Sequence, residues 1–196
     1  MAGLLLSACT KDGDSGGKPD DVEGVDLADP APTTTQPRAT DADTVRPHLQ
    51  DLVDRYDEAL NAILADPSVA QDPDDDHVAG YLSLFDPGSD VGESTVGLWA
   101  DDADAGKSYE AVDPELPAID TRVDGPVVPH SDEEVAFAVC QEQQYRVLAA
   151  DGSVEHEVPH AEPRGEWTAV WVDGTWRLSK VEMISNVDGC ITRSEG

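Results

Sequence analysis

Apolar residues between Thr44 and Ala65 recur at spacings of three and four: Val45, Leu49, Leu52, Val53, Tyr56, Leu60, Ile63 and Leu64. That period predicts an amphipathic helix with one buried face. Thr44 or Asp43 can cap its start, Pro47 fits the first turn, and Asp66-Pro67 ends it. The acidic run Asp72 to Asp76 then precedes a short helix from His77 to about Phe85, with Val78, Tyr81, Leu82 and Phe85 on one side. Ser94 is a candidate cap for a third, with Val96 and Trp99 inward and Gly106 at its end. After Lys107 the period changes to two. Tyr109 to Val112 reads as a short strand, and Ala118 to Val128 as a strand kinked at Gly125-Pro126. Glu134 to Leu148 is a long strand with Val135, Phe137 and Val139 on one face and Ala136, Ala138 and Cys140 on the other. Asp151-Gly152 turns the chain, and Ser153 to about His160 returns.

Residues 165–184 form the last hairpin, around Asp173-Gly174. Asp-Gly suits a type I′ turn, whose two central residues both need positive φ. Trp167, Ala169 and Trp171 share one face of its first strand, and Thr168, Val170 and Val172 the other. Both faces are apolar enough to predict a strand inside a sheet with packing on each side. On the second strand the apolar phase slips near Ser179-Lys180, which predicts a β-bulge and a bend. Helices first, then an antiparallel meander, define an α+β fold with N-terminal helices packed on a curved antiparallel sheet.

Composition adds a boundary and an address. Thr10 to about Asp43 lacks apolar periodicity and is rich in Gly, Pro, Asp, Ser and Thr, so it reads as a disordered acidic tether. The formal net charge of the chain is -30. The tether holds nine acidic and three basic residues, which leaves -24 on the rest. Such a charge argues against nucleic acid as a partner and against adhesion to anionic lipid. Leu6-Ser7-Ala8-Cys9 has the form of a bacterial lipobox: an aliphatic residue, two small residues, then Cys. Residues 1–8 lack a basic region and are short for a signal peptide, so the motif reads as truncated. The expected division is a truncated signal peptide over 1–8, a tether over 9–43 and a folded domain over 44–196. The alternative for Cys9 is a chance match and a free thiol.

Export implies an oxidising compartment, where Cys140 and Cys190 are most simply a disulfide closing a loop of about 50 residues. The alternative is two buried free thiols. Cys190 follows Gly189, in a segment with too little apolar content to hold itself against the sheet.

The helix Val45 to Leu64 and the ending Trp167-Thr-Ala-Val-Trp-Val-Asp-Gly-Thr-Trp-Arg-Leu178 together resemble the nuclear transport factor 2-like superfamily. Its members include ketosteroid isomerases and SnoaL-type polyketide cyclases. The resemblance spans about residues 44–190. It implies a cone-shaped fold, a pocket between helices and sheet, and often a homodimer. With lipobox, tether and two later cysteines, the whole chain looks like an actinobacterial lipoprotein carrying this domain. The fold hosts enzymes, binders and scaffolds alike, so no activity follows from it. No motif here matches the isomerases' catalytic Tyr and Asp.

Other candidate chemistry is sparse. His156-Glu-Val-Pro-His160 matches the letters of a zinc-protease helix, but Pro159 interrupts any helix and the surroundings read as an edge strand. Asp12 to Glu23 echoes a calcium loop without flanking helices. His130 follows Pro129 and precedes Ser-Asp-Glu-Glu, as in an exposed turn. Tyr56, Tyr81, Trp99, Trp167 and Trp171 are candidate pocket-lining residues, with plain core packing as the alternative. The expectation is a non-catalytic, membrane-anchored extracytoplasmic domain that binds a protein or a small ligand, with no metal or cofactor. The alternative is an isomerase- or cyclase-like enzyme, which would need a titratable group of shifted pKa inside a pocket.

Overall fold

The computed structural model describes residues 41–184 and Cys190. Cys9, the expected signal peptide, the calcium-like stretch and the expected tether up to residue 40 lie outside the described residues. Helix α1 spans Ala42–Ala65, and its whole apolar stripe from Val45 to Leu64 is buried. It starts two residues before Thr44, because Asp41 is the cap: its carboxylate accepts from the Thr44 amide at 3.2 Å and from Thr44 Oγ1 at 2.7 Å. Thr44 is therefore the partner of the cap. After Asp66 the chain makes a 3₁₀ turn, Pro67–Gln71, that the sequence reading passed over.

Helix α2 spans Asp76–Leu82, with Asp75 accepting from the His77 amide at 2.8 Å. It stops short of Phe85 because the next residues pair with the last strand. Leu178 N–H donates to Leu84 O and Asp86 N–H to Leu178 O, both at 2.8 Å. Helix α3 spans Val91–Asp104 and begins ahead of Ser94; Ser89 Oγ accepts from the Val91 amide at 3.3 Å in its first turn. Gly106, at φ 72, closes it.

Six strands follow: β1 Ser108–Ala111, β2 Ile119–Pro129, β3 Glu134–Leu148, β4 Val154–Ala161, β5 Arg164–Val172 and β6 Thr175–Ile184. The 15-residue β3 is the spine. Along one edge it pairs antiparallel with β2 over its first part and β1 over its last; along the other it pairs with β5 and then β4. Strand β6 extends the sheet beyond β5. The register of β2 shifts between Val123 and Val127, where Gly125 sits at φ 126. A Cβ on Gly125 would also lie 3.0 Å from Ala138 Cβ, so both conformation and space favour glycine at the kink. In the last hairpin Asp173 and Gly174 have φ 51 and 85, as a type I′ turn requires. The bulge falls at Ser179: Thr168 pairs with Lys180, while Ala169 pairs with Leu178.

The helices cover the sheet face that carries Val135, Phe137, Val139, Trp167, Ala169 and Leu178. This is the expected α+β architecture. The opposite face of β5 differs from expectation. Thr168, Val170 and Val172 are half-buried, and β5 is internal through its two strand neighbours rather than through layers on both sides.

Candidate functional site

Four of the five candidate pocket residues meet in the interior. Ring centroids of Tyr56 and Trp167 lie 4.9 Å apart, Tyr56 and Tyr81 5.6 Å, and Tyr81 and Trp99 5.2 Å. Phe85 and Phe137 join them, at 5.0 Å from Tyr81 and 6.2 Å from Trp167. These are edge-to-face and tilted contacts in which each ring fills the space beside the next. Trp171 is not among them; half-buried near the hairpin turn, it packs on Trp176 at 5.4 Å. Burial raises the Tyr56 hydroxyl well above its usual pKa and pushes Tyr81 up to about 12, so both stay neutral. The space between helices and sheet is thus packed with aromatic rings among the described residues.

Beside this core, α1 clasps the edge of β2 that β3 leaves free. Arg46 donates to Gly125 O at 2.6 Å. Gln50 accepts from the Val123 amide at 2.8 Å and donates to Thr121 O at 3.3 Å. Asp57 accepts from the Thr121 amide and, at 2.7 Å, from Thr121 Oγ1. Asn61 accepts from the Ile119 amide at 3.1 Å and donates to Ile119 O at 2.7 Å. Four polar side chains on one stripe of a helix therefore meet alternate residues of a strand. They satisfy backbone groups that would otherwise form an open sheet edge.

Asp57 is the unusual member. It is 8% exposed. Burial pushes its carboxyl up, hydrogen bonds from Thr121 hold it down, and the nearby Asp120 and Asp54 add to the rise; the net pKa is about 6. Gln141 Nε2 donates to Thr121 Oγ1 at 3.1 Å and extends the network into the sheet. Sequence reasoning missed this carboxyl. The available signal was the spacing of Arg46, Gln50, Asp57 and Asn61, which places polar groups on one helical stripe next to the apolar one.

Several clefts among the described residues open at the surface. One, of about 360 Å³, lies between the end of α1, β1 and the start of β2, lined by Asn61, Leu64, Tyr109, Ala111, Pro117 and Ala118. This size falls within the range of small-ligand sites, and its lining is mostly apolar. Tyr109 ties it to a polar cluster. Its hydroxyl donates to Asp102, which also pairs with Lys107 at 3.0 Å, and Lys107 reaches Glu155 at 3.5 Å. Burial pushes Asp102 up, but bonds from Tyr109 and Lys107 outweigh it and leave the carboxyl below its usual range. Burial and the bond to Asp102 both push Tyr109 up. The cluster is an anion with two donors bound to it. A second cleft, of about 340 Å³ between α1 and α2, is lined by Arg55, Glu58, Asp76 and His77 among others.

Among the described residues the histidine motifs do not gather into a site. His156 and His160 lie on the exposed strand β4, and His160 pairs with Glu142 at 3.0 Å. His130 is exposed and contacts Glu134 at 3.2 Å. Cys140 and Cys190 are joined, with Cα atoms 5.6 Å apart, inside the range a disulfide requires.

No protein-family model matches the chain, and no curated protein does. Solved structures do. The intermembrane-space region of the chloroplast protein ARC6 superposes with a TM-score of 0.54 at 10% identity, over 72% of this chain and 97% of that one. The likeness is one of fold. Two proteins described as having a cystatin-like fold also align. One, from Caulobacter vibrioides, has a TM-score of 0.37 at 18% identity over 71% of this chain and 89% of its own. The other, from Nostoc punctiforme, has 0.35 at 12% identity over 72% and 92%. At these scores neither carries an argument here.

Proposed function

We propose that this chain is an extracytoplasmic lipoprotein domain, of the kind found in actinobacteria, held at the membrane by a lipid on Cys9, and that it binds rather than catalyses. The carrying observation is the interior: Tyr56, Tyr81, Phe85, Trp99, Phe137 and Trp167 occupy the space where an enzyme of this architecture would need a pocket. The seat of binding in this reading is the cleft beside Tyr109, taking a small apolar ligand or an apolar side chain of a protein partner. The lipobox and the acidic stretch after it support the anchor. Among the described residues no helix is long and apolar enough to cross a membrane, so a span there does not compete with the lipid as anchor.

One observation favours the alternative, an isomerase- or cyclase-like enzyme. Asp57 is a buried carboxyl with a pKa of about 6, in the range of a general base. Against it, both Asp57 oxygens are engaged by Thr121.

Two measurements test the proposal. Mass spectrometry of the mature N-terminus of the protein isolated from its native host should find a diacylglyceryl group on Cys9; an unmodified thiol ends the anchoring claim. Amide NMR shifts on titration with the neutral apolar dye Nile red should cluster at Asn61, Tyr109, Ala111 and Ala118. They should vanish in Ala118→Trp, which fills the cleft. Shifts centred on Asp57 and Trp167 would instead support the enzyme.

A further inference from the structure

Where β4 passes into β5, three metal-ligating side chains converge. Cys140 Sγ, Cys190 Sγ and a carboxylate oxygen of Glu162 all lie within 4.8 Å of one another. Two carbonyls stand at the same spot: Glu162 O is 3.4 Å and Pro163 O 3.8 Å from Cys190 Sγ. A sulfur in a disulfide carries no proton, so these oxygens present lone pairs to it rather than accept a hydrogen bond. Both cysteines are buried, at 0% and 6% exposure. Cys140 is flanked in register by Arg122 on β2 and Arg164 on β5.

We propose that Cys140, Cys190 and Glu162 form a redox-gated site for a thiophilic divalent cation of the zinc class. Two thiolates, one carboxylate and a carbonyl or water complete the four-coordinate set such ions take. In the disulfide the sulfurs bond each other and the site is closed. A water-soluble phosphine opens it: the S–S bond breaks, water supplies a proton to each sulfur, and its oxygen leaves on the phosphine oxide. The cation then displaces one proton from each thiol. In both states the same residues pin Cys190 to the sheet, by a covalent bond or through the ion.

The test uses the full chain with Cys9→Ser, so that only these two thiols remain, and cobalt(II) as the spectroscopic probe. After anaerobic reduction and removal of the phosphine, one equivalent of cobalt should produce a sulfur-to-metal charge-transfer band that zinc abolishes. Glu162→Gln should weaken binding by about tenfold or more, and Cys140→Ser or Cys190→Ser should remove the band. The oxidised protein should show none. Three results overturn the proposal. One is the absence of the band when two free thiols are counted. Another is unchanged affinity in Glu162→Gln. The third is loss on reduction of the near-ultraviolet tryptophan dichroism that metal fails to restore.

Discussion

Neutralising Asp57 should stabilise the protein. The carboxyl has a folded pKa of about 6 against 3.8 for the ordinary side chain. The folded state therefore holds this proton more tightly than the unfolded state. Its contribution to stability is fully present below pH 3.8 and is lost as pH rises through 6. The full difference corresponds to about 3 kcal/mol, and the part between about pH 7.5 and pH 5 to roughly 1.4 kcal/mol. The lower limit stays above the isoelectric point of about 4.1. Relief of repulsion in so acidic a chain also stabilises it on acidification, so the comparison must be with Asp57→Asn, which keeps the shape and removes the titration. Urea unfolding followed by tryptophan fluorescence should show the wild type gaining on the variant by that roughly 1.4 kcal/mol. Parallel pH profiles would refute the reasoning and mean that Asp57 is ionised at no cost, with Thr121 fully offsetting its burial.

Further expectations concern the clasp, the disulfide and the last hairpin. Asn61→Ala leaves both polar backbone groups of Ile119 without their side-chain partner, so it should cost about 1–3 kcal/mol and speed exchange of the Ile119 amide; an unchanged exchange rate would contradict the clasp. Replacing Cys140 and Cys190 together by Ser should lower the melting temperature, with an upper limit of about 4 kcal/mol for a loop of this length. Near-ultraviolet dichroism should survive, because the tryptophan hairpin remains. Gly165→Ala should destabilise by about 1–3 kcal/mol in a thermal melt, since its Cβ would lie 2.8 Å from Val139 Cγ2 and 2.9 Å from Glu182 O; a neutral result would mean that the backbone there yields.

The elements that could be read along the chain are those whose burial has a period. The α1 stripe, the two faces of β3, the Asp173-Gly174 turn and the slip at Ser179 are all local patterns that one face of packing imposes. Helix starts were less legible. Several Asp and Ser residues near each start could cap, and small differences in geometry chose Asp41 and the turn after Ser89. The clasp was illegible for a different reason. What Asp57 does is set by Thr121, 64 residues on; the spacing of Arg46, Gln50, Asp57 and Asn61 marks a polar stripe but not what that stripe meets. The aromatic residues were legible as buried, but periodicity cannot say whether rings line a space or fill it. Trp171 shows the limit: it shares a face with Trp167 in the alternation, yet it is only half-buried and packs on its hairpin partner.

The central claim is that rings fill the space between helices and sheet. Crystals of the full chain under xenon pressure test it directly, because xenon enters apolar cavities that water leaves empty. The account predicts no xenon peak among Tyr56, Tyr81, Trp99 and Trp167, with any occupancy confined to the surface cleft beside Tyr109. A well-occupied xenon site inside the aromatic cluster and open toward Asp57 would contradict it and favour the enzyme.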